Sequence, residues 1–175
     1  MKYKNLKILI GLWMFSTMLM AASSNQQVAR LVLNHVNLIQ HQEADGDELY
    51  FDVSVFRSKQ PTQYLRVPAK PFHWTSQRIH DISNMTLWSD KIKKGEDVTI
   101  IVSLMETDMK ALYPDELIGS VRVKFKNESG VLQTRWSMPN HVGEVAFKGK
   151  DVGVQQFDLV GDGAHYKIDL SVGQP

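Results

Sequence analysis

Two acidic segments carry most of the chemistry available to this chain. Glu43-Ala44-Asp45-Gly46-Asp47-Glu48 leads into one alternating apolar run, and Glu106-Thr107-Asp108, followed by Asp115-Glu116, lies between two others. Carboxylates crowded at strand ends repel one another unless a cation or solvent offsets the charge. Ca²⁺ takes roughly six to eight oxygens in flexible geometry, which Asp and Glu side chains and loop carbonyls supply without nitrogen or sulfur. The sharpest expectation is therefore a calcium-type site at one pole of a β-sandwich, drawn from Glu43, Asp47, Glu48, Glu106, Asp108 and Asp115. The competing reading is that these acids are solvated and bind no metal.

Other reactive groups are scattered. The six histidines, His35, His41, His73, His80, His141 and His165, follow no metal-ligand spacing. His73 and His80, with Asp81 next to the second, are the one pair placed to converge on zinc. There is no cysteine, and no serine lies in a Gly-x-Ser-x-Gly turn. A binding module is expected rather than an enzyme, with a secreted hydrolase the least favoured reading. Trp74, Trp88 and Trp136, with Phe72 and Tyr64, are expected in the core and on sheet faces rather than in a ligand cage. Lys91, Lys93 and Lys94 read as a solvated turn or, alternatively, as an anionic-lipid patch. Asn84-Met85-Thr86 matches a glycosylation acceptor.

The elements that must position these residues are strands. Leu49, Phe51, Val53 and Val55 alternate with Tyr50, Asp52, Ser54 and Phe56, the period-two pattern of a strand with one buried face. Val98 to Leu104 and Val121 to Phe125 repeat it, and residues 29–39 are rich in β-branched and aliphatic side chains. Weaker candidates span 64–67, 85–88, 132–136, 144–147, 154–159 and 166–172. Gly161-Asp162-Gly163 predicts a tight hairpin, because glycine tolerates the positive φ of such turns. Periodicity is lost from Pro68 to Ser83, and only residues 110–113 suggest a helical turn. Short strands about ten residues apart, separated by Gly, Pro, Asn and Asp, predict an all-β, single-domain antiparallel sandwich.

The N-terminus reads as an export address. Lys2, Lys4 and Lys7 precede an apolar run from Ile8 to Met20, and Ala21-Ala22-Ser23-Ser24 supplies small residues for cleavage. As a helix the run extends roughly 20 Å, short of the ~30 Å hydrocarbon core. Residues 1–22 are expected to be a signal peptide and 23–175 the mature domain, periplasmic or secreted, with no transmembrane segment after cleavage. Removing three lysines and no acid from a chain of net charge +1 leaves −2. That balance argues against nucleic acid, whose binders present basic stripes. With no cysteine, stability must come from packing without disulfides.

Residues 30–55 (RLVLNHVNLIQHQEADGDELYFDVSV) resemble the opening of a C2 domain: a strand, an acidic loop with a glycine, then an acid-x-Tyr-apolar entry into the next strand. Residues 98–125 are similar to a second signature of that family, in which Glu106-Thr107-Asp108 is followed across a short loop by Asp115-Glu116-Leu117-Ile118-Gly119. The resemblance implies an eight-stranded antiparallel sandwich whose loops at one end share calcium, often to dock on phospholipid; the partner expected here is a phospholipid surface or another protein. By position it implies Glu48 and Glu43 as first-loop ligands, with Asp47 as substitute for Glu48, and Glu106, Asp108 and Asp115 as those of the later loop. Glutamate replaces the family's usual aspartate at Glu43, Glu48 and Glu106. The function expected is thus an exported C2-like binding module, with a metal-independent adaptor or host-directed factor as the alternative.

Overall fold

Residues that alternate in polarity cannot bury one face alone, so two such sheets close on each other. A computed structural model describes residues 25–107, 114–139, 147–148 and 153–173. The signal segment, Asp108 and the candidate turn at 110–113 lie outside those residues. The strands are β1 (Gln26–Gln40), β2 (Glu48–Arg57), β3 (Gln63–Val67), β4 (Trp74–Thr75), β5 (Ser83–Lys93), β6 (Asp97–Glu106), β7 (Glu116–Glu128), β8 (Val131–Ser137), β9 (Phe147–Lys148), β10 (Val154–Gly161) and β11 (Ala164–Gly173). One sheet runs β10-β11-β1-β5; the other runs β3-β2-β6-β7-β8-β9, with β4 paired to β2. Every strand pair is antiparallel. The all-β sandwich is as the sequence predicts.

The inner faces supply the core. Leu49, Phe51, Val53 and Val55 of β2 meet Val98, Ile100, Val102 and Leu104 of β6, all buried. Aromatic contacts join the two sheets: Trp88 of β5 stacks on Phe125 of β7 with centroids 5.8 Å apart, and Trp136 of β8 meets Phe157 of β10 at 5.5 Å. Each such side chain contributes ~1.5–3 kcal/mol by leaving water, which is how a disulfide-free domain holds. At the pole away from the acidic loops, Arg57 spans the sheets. Its guanidinium donates to Asp90 and Glu96, both at 2.9 Å, and lies over the Trp88 ring.

Three sequence expectations are refined. The stretch from Pro68 to Ser83, read as irregular, holds β4 and a 3-10 helix, Ser76–Asp81. Phe72, expected in the core or on a sheet face, is exposed, and Tyr64 stands on the outer face of β3 with 76% of its surface in solvent. Of the candidate strand at 144–147 only Phe147 falls among the described residues, where it begins β9. The hairpin at Gly161-Asp162-Gly163 forms as expected, with positive φ at Asp162 and Gly163. Among the described residues no helix is long and apolar enough to cross a membrane.

Candidate functional site

The two acidic segments meet at one pole. Thr107 donates its backbone N–H to the Glu48 carbonyl at 2.8 Å, and Gln42 Nε2 donates to Glu116 Oε2 at 2.7 Å. Register places Glu106 between Leu49 on β2 and Glu116 on β7. The sheet nevertheless divides their side chains between its two faces.

On the inner side lies a buried polar knot. Asp47 is fully buried; its Oδ1 accepts the backbone N–H groups of Gln42 and Glu43, and its Oδ2 accepts the Tyr166 hydroxyl at 2.5 Å. Asp47 and Ser76 are tied reciprocally: the Asp47 N–H donates to the Ser76 hydroxyl Oγ at 3.0 Å and the Ser76 N–H donates to the Asp47 carbonyl at 2.9 Å. Gly46, at φ +94, makes this turn possible: a Cβ there would fall within 2.6 Å of Ser76 Oγ. Glu106, 2% exposed, continues the inward parity of Val102 and Leu104. Burial, the Asp47 hydrogen bond and the Asp47 and Glu106 charges together drive the Tyr166 phenol above its ordinary range.

On the outer side Asp115 anchors a different cluster. Its Oδ2 accepts the Tyr50 hydroxyl at 2.6 Å and lies 3.5 Å from Arg66 Nη1, while Oδ1 accepts the Thr107 hydroxyl at 2.8 Å. The Arg66 guanidinium rests on the Tyr50 ring, 3.3 Å from its centroid. Burial raises the Asp115 carboxyl, but the Tyr50 and Thr107 hydrogen bonds and the Arg66 and Lys70 charges outweigh it and hold the group below its usual range. Asp52, opposite Arg66 across β2 and β3, goes the other way: burial raises it more than Arg66 lowers it. Burial and Asp115 also push the Tyr50 phenol above its usual range.

Glu43 is exposed in the loop and Glu48 half-buried at the start of β2. Among the described residues no three His, Cys, Asp or Glu side chains converge to hold a metal. His80 pairs with Asp81 at 3.3 Å, and His73 lines a cleft that Asp81 also borders. A calcium ion at Asp47 or Asp115 would compete with the hydroxyl and backbone donors that each carboxylate already accepts, and Asp108 lies outside the described residues. A Ser83-His35-Asp169 row crosses β5, β1 and β11, but no hydrogen bond joins the three, and Asp169 accepts from Gln156 instead.

Among the described residues, the β7–β8 part of the outer face of the larger sheet is rich in cations, with Asp97 of β6 opposite Lys126. Arg122, Lys124 and Lys126 alternate along β7 with buried Val121, Val123 and Phe125. Lys124 stands opposite Arg135 of β8, and Arg135 opposite Lys148 of β9. Like charges directly opposite across strands destabilise a sheet. Among the described residues neither Lys124 nor Arg135 has an ion-pair partner, whereas Lys126 pairs with Glu128 at 3.4 Å. Tyr64 and Phe56 are exposed on the same face, toward the β3 edge. The β7 ladder is legible as Arg-x-Lys-x-Lys alternation; its pairing with Arg135 requires the hairpin register set at Ser129 and Gly130, both of positive φ.

No family model matches the chain, and no curated protein matches it. Among solved structures it is similar to a C2 domain of plant extended synaptotagmin 1, with a TM-score of 0.43 and 8% identity, covering 85% of this chain and 95% of that one. The case for function rests on the side chains described above.

Proposed function

We propose that the chain is an exported, non-enzymatic binding module that docks on anionic phospholipid through the outer face of its larger sheet, without calcium. The observation that carries this is the exposed pair Lys124 on β7 and Arg135 on β8, directly opposite each other. Each cation near a negative membrane contributes on the order of 1 kcal/mol, and an anionic surface relieves the cross-strand repulsion. Exposed Tyr64 and Phe56 suit the headgroup region, where amphipathic rings concentrate. Export rests on the basic, apolar and small-residue order of residues 1–24; recovery of a protein from envelope or medium that starts near Ser23 supports it, and an intact Met1 there opposes it. Flotation with vesicles tests docking: phosphatidylserine should be required, and Lys124→Glu with Arg135→Glu should abolish it.

Calcium at the acidic pole is the second reading, favoured by the meeting of the two acidic loops at Glu48, Thr107, Gln42 and Glu116. On that reading millimolar Ca²⁺ raises the melting temperature more than Mg²⁺ does, because Mg²⁺ gives up water reluctantly. On the preferred reading neither ion shifts it.

A further inference from the structure

The smaller sheet ends at β5, whose far edge pairs with no strand among the described residues. An unpaired edge is a template for another chain, and proteins commonly blunt it. Side chains cap this edge at one end only, while in the other part a register shift against β1, between Leu31 and Val32, and the positive φ of Asn84 bend the strand. Arg57 Nη1 donates to the Lys91 carbonyl, Asp90 Oδ1 accepts the Lys91 N–H, Asn127 Nδ2 donates to the Ile92 carbonyl, and Glu96 Oε2 accepts the Lys93 N–H. From Ser83 to Asp90 no side chain or loop caps the backbone among the described residues, and the run from Ser83 to Ser89 has no charge and no proline.

A cleft opens beside that uncapped part. Its volume is 590 Å³; Trp74, Ile82 and Met85 give it apolar walls, and His73, Arg78 and Asp81 give it a polar rim. Met85 stands opposite buried Leu33 of β1 and so faces the interior of the sandwich. In an added strand, the residue directly opposite Met85 shares that face and meets the cleft. At the other end, Lys91 and Lys93 are exposed and have no ion-pair partner among the described residues.

We propose that the Ser83–Asp90 edge and the cleft at Met85 form a docking site for an extended peptide of a protein partner, which adds as an antiparallel strand. Its apolar side chain enters between Trp74, Ile82 and Met85, and acidic residues toward its N-terminus meet Lys91 and Lys93. Main-chain hydrogen bonds supply affinity and the cleft supplies specificity. This surface is separate from the basic face of the larger sheet, so the two proposals stand or fall apart.

The test is a heteronuclear NMR titration of residues 23–175. The probe is a capped peptide of about ten residues, with glutamates at its N-terminal end, alternating threonine and valine, and a phenylalanine placed to oppose Met85. Saturable shifts at the Ser83–Asp90 amides and the Trp74 indole are expected. Weakening of at least about tenfold is expected when the peptide is N-methylated along its pairing edge, when its phenylalanine is alanine, and in Met85→Lys. The N-methylated peptide needs no protein variant, so a misfolded Met85→Lys does not obscure the result. The proposal is overturned by no shift at several millimolar peptide, equal binding of the N-methylated peptide, shifts confined elsewhere, or self-association of the protein through this same edge.

Discussion

Asp47 and Asp115 show how one residue type takes two roles at the same pole. Asp47 is enclosed by two backbone N–H groups and the Tyr166 hydroxyl. Tyr166→Phe leaves a buried carboxylate oxygen short of a donor, so a loss of about 1–3 kcal/mol is expected in urea unfolding. Asp115 sits below its ordinary pKa, so its contribution is complete above the unfolded value of roughly 3.9 and is lost as pH falls through its lower folded value. Asp52 sits above its ordinary pKa, so its contribution is present below the unfolded value and is lost as pH rises through the folded one. Asp115→Asn should therefore destabilise the protein at pH 7 and do so less at pH 3. Asp52→Asn should be neutral or stabilising at pH 7; thermal melts at the two pH values check both. The grouping of these acids was legible as two acidic segments beside strands. The side each occupies was legible only in part: period-two parity carries Glu106 inward after Leu104, while the burial of Asp47 depends on Tyr166, 119 residues away.

Strands with unbroken alternation were readable because burial of one face leaves a period of two in the sequence; β2, β6 and the middle of β7 are cases. β4 and the 3-10 helix were not, since two extended residues and one irregular turn carry no period. Their place is set by tertiary bonds, Ser76 to Asp47 and Gln77 Nε2 to the Asp45 carbonyl. The hairpin between β10 and β11 adds a contact that no pattern reveals. A Cβ on Gly161 would lie 2.6 Å from the Ile118 carbonyl oxygen and 2.8 Å from that of Leu117, where β10 passes β7. Gly161→Ala must move backbone rather than a side-chain tip. It should cost roughly 1–3 kcal/mol, as overpacking does, and a melting temperature close to wild type would contradict that contact.

At the scale of the molecule, Asp47 and Asp115 at the pole are taken up by internal bonds, while Lys124 and Arg135 of the larger sheet are left outward. The chain's low net charge of +1 conceals this separation, because composition averages over faces that the β7–β8 register keeps apart. Docking through such a face weakens with ionic strength, since screening lengths fall from about 30 Å at 0.01 M to about 10 Å at 0.1 M salt. The most direct measurement is co-sedimentation of residues 23–175 with phosphatidylcholine vesicles, with and without about 30% phosphatidylserine, in the presence of EDTA. Binding should require phosphatidylserine, persist without calcium, decline with added salt, and fall at least about tenfold in Lys124→Glu/Arg135→Glu. Binding that appears only when calcium is supplied, or that the double reversal leaves intact, contradicts docking through the β7–β8 face.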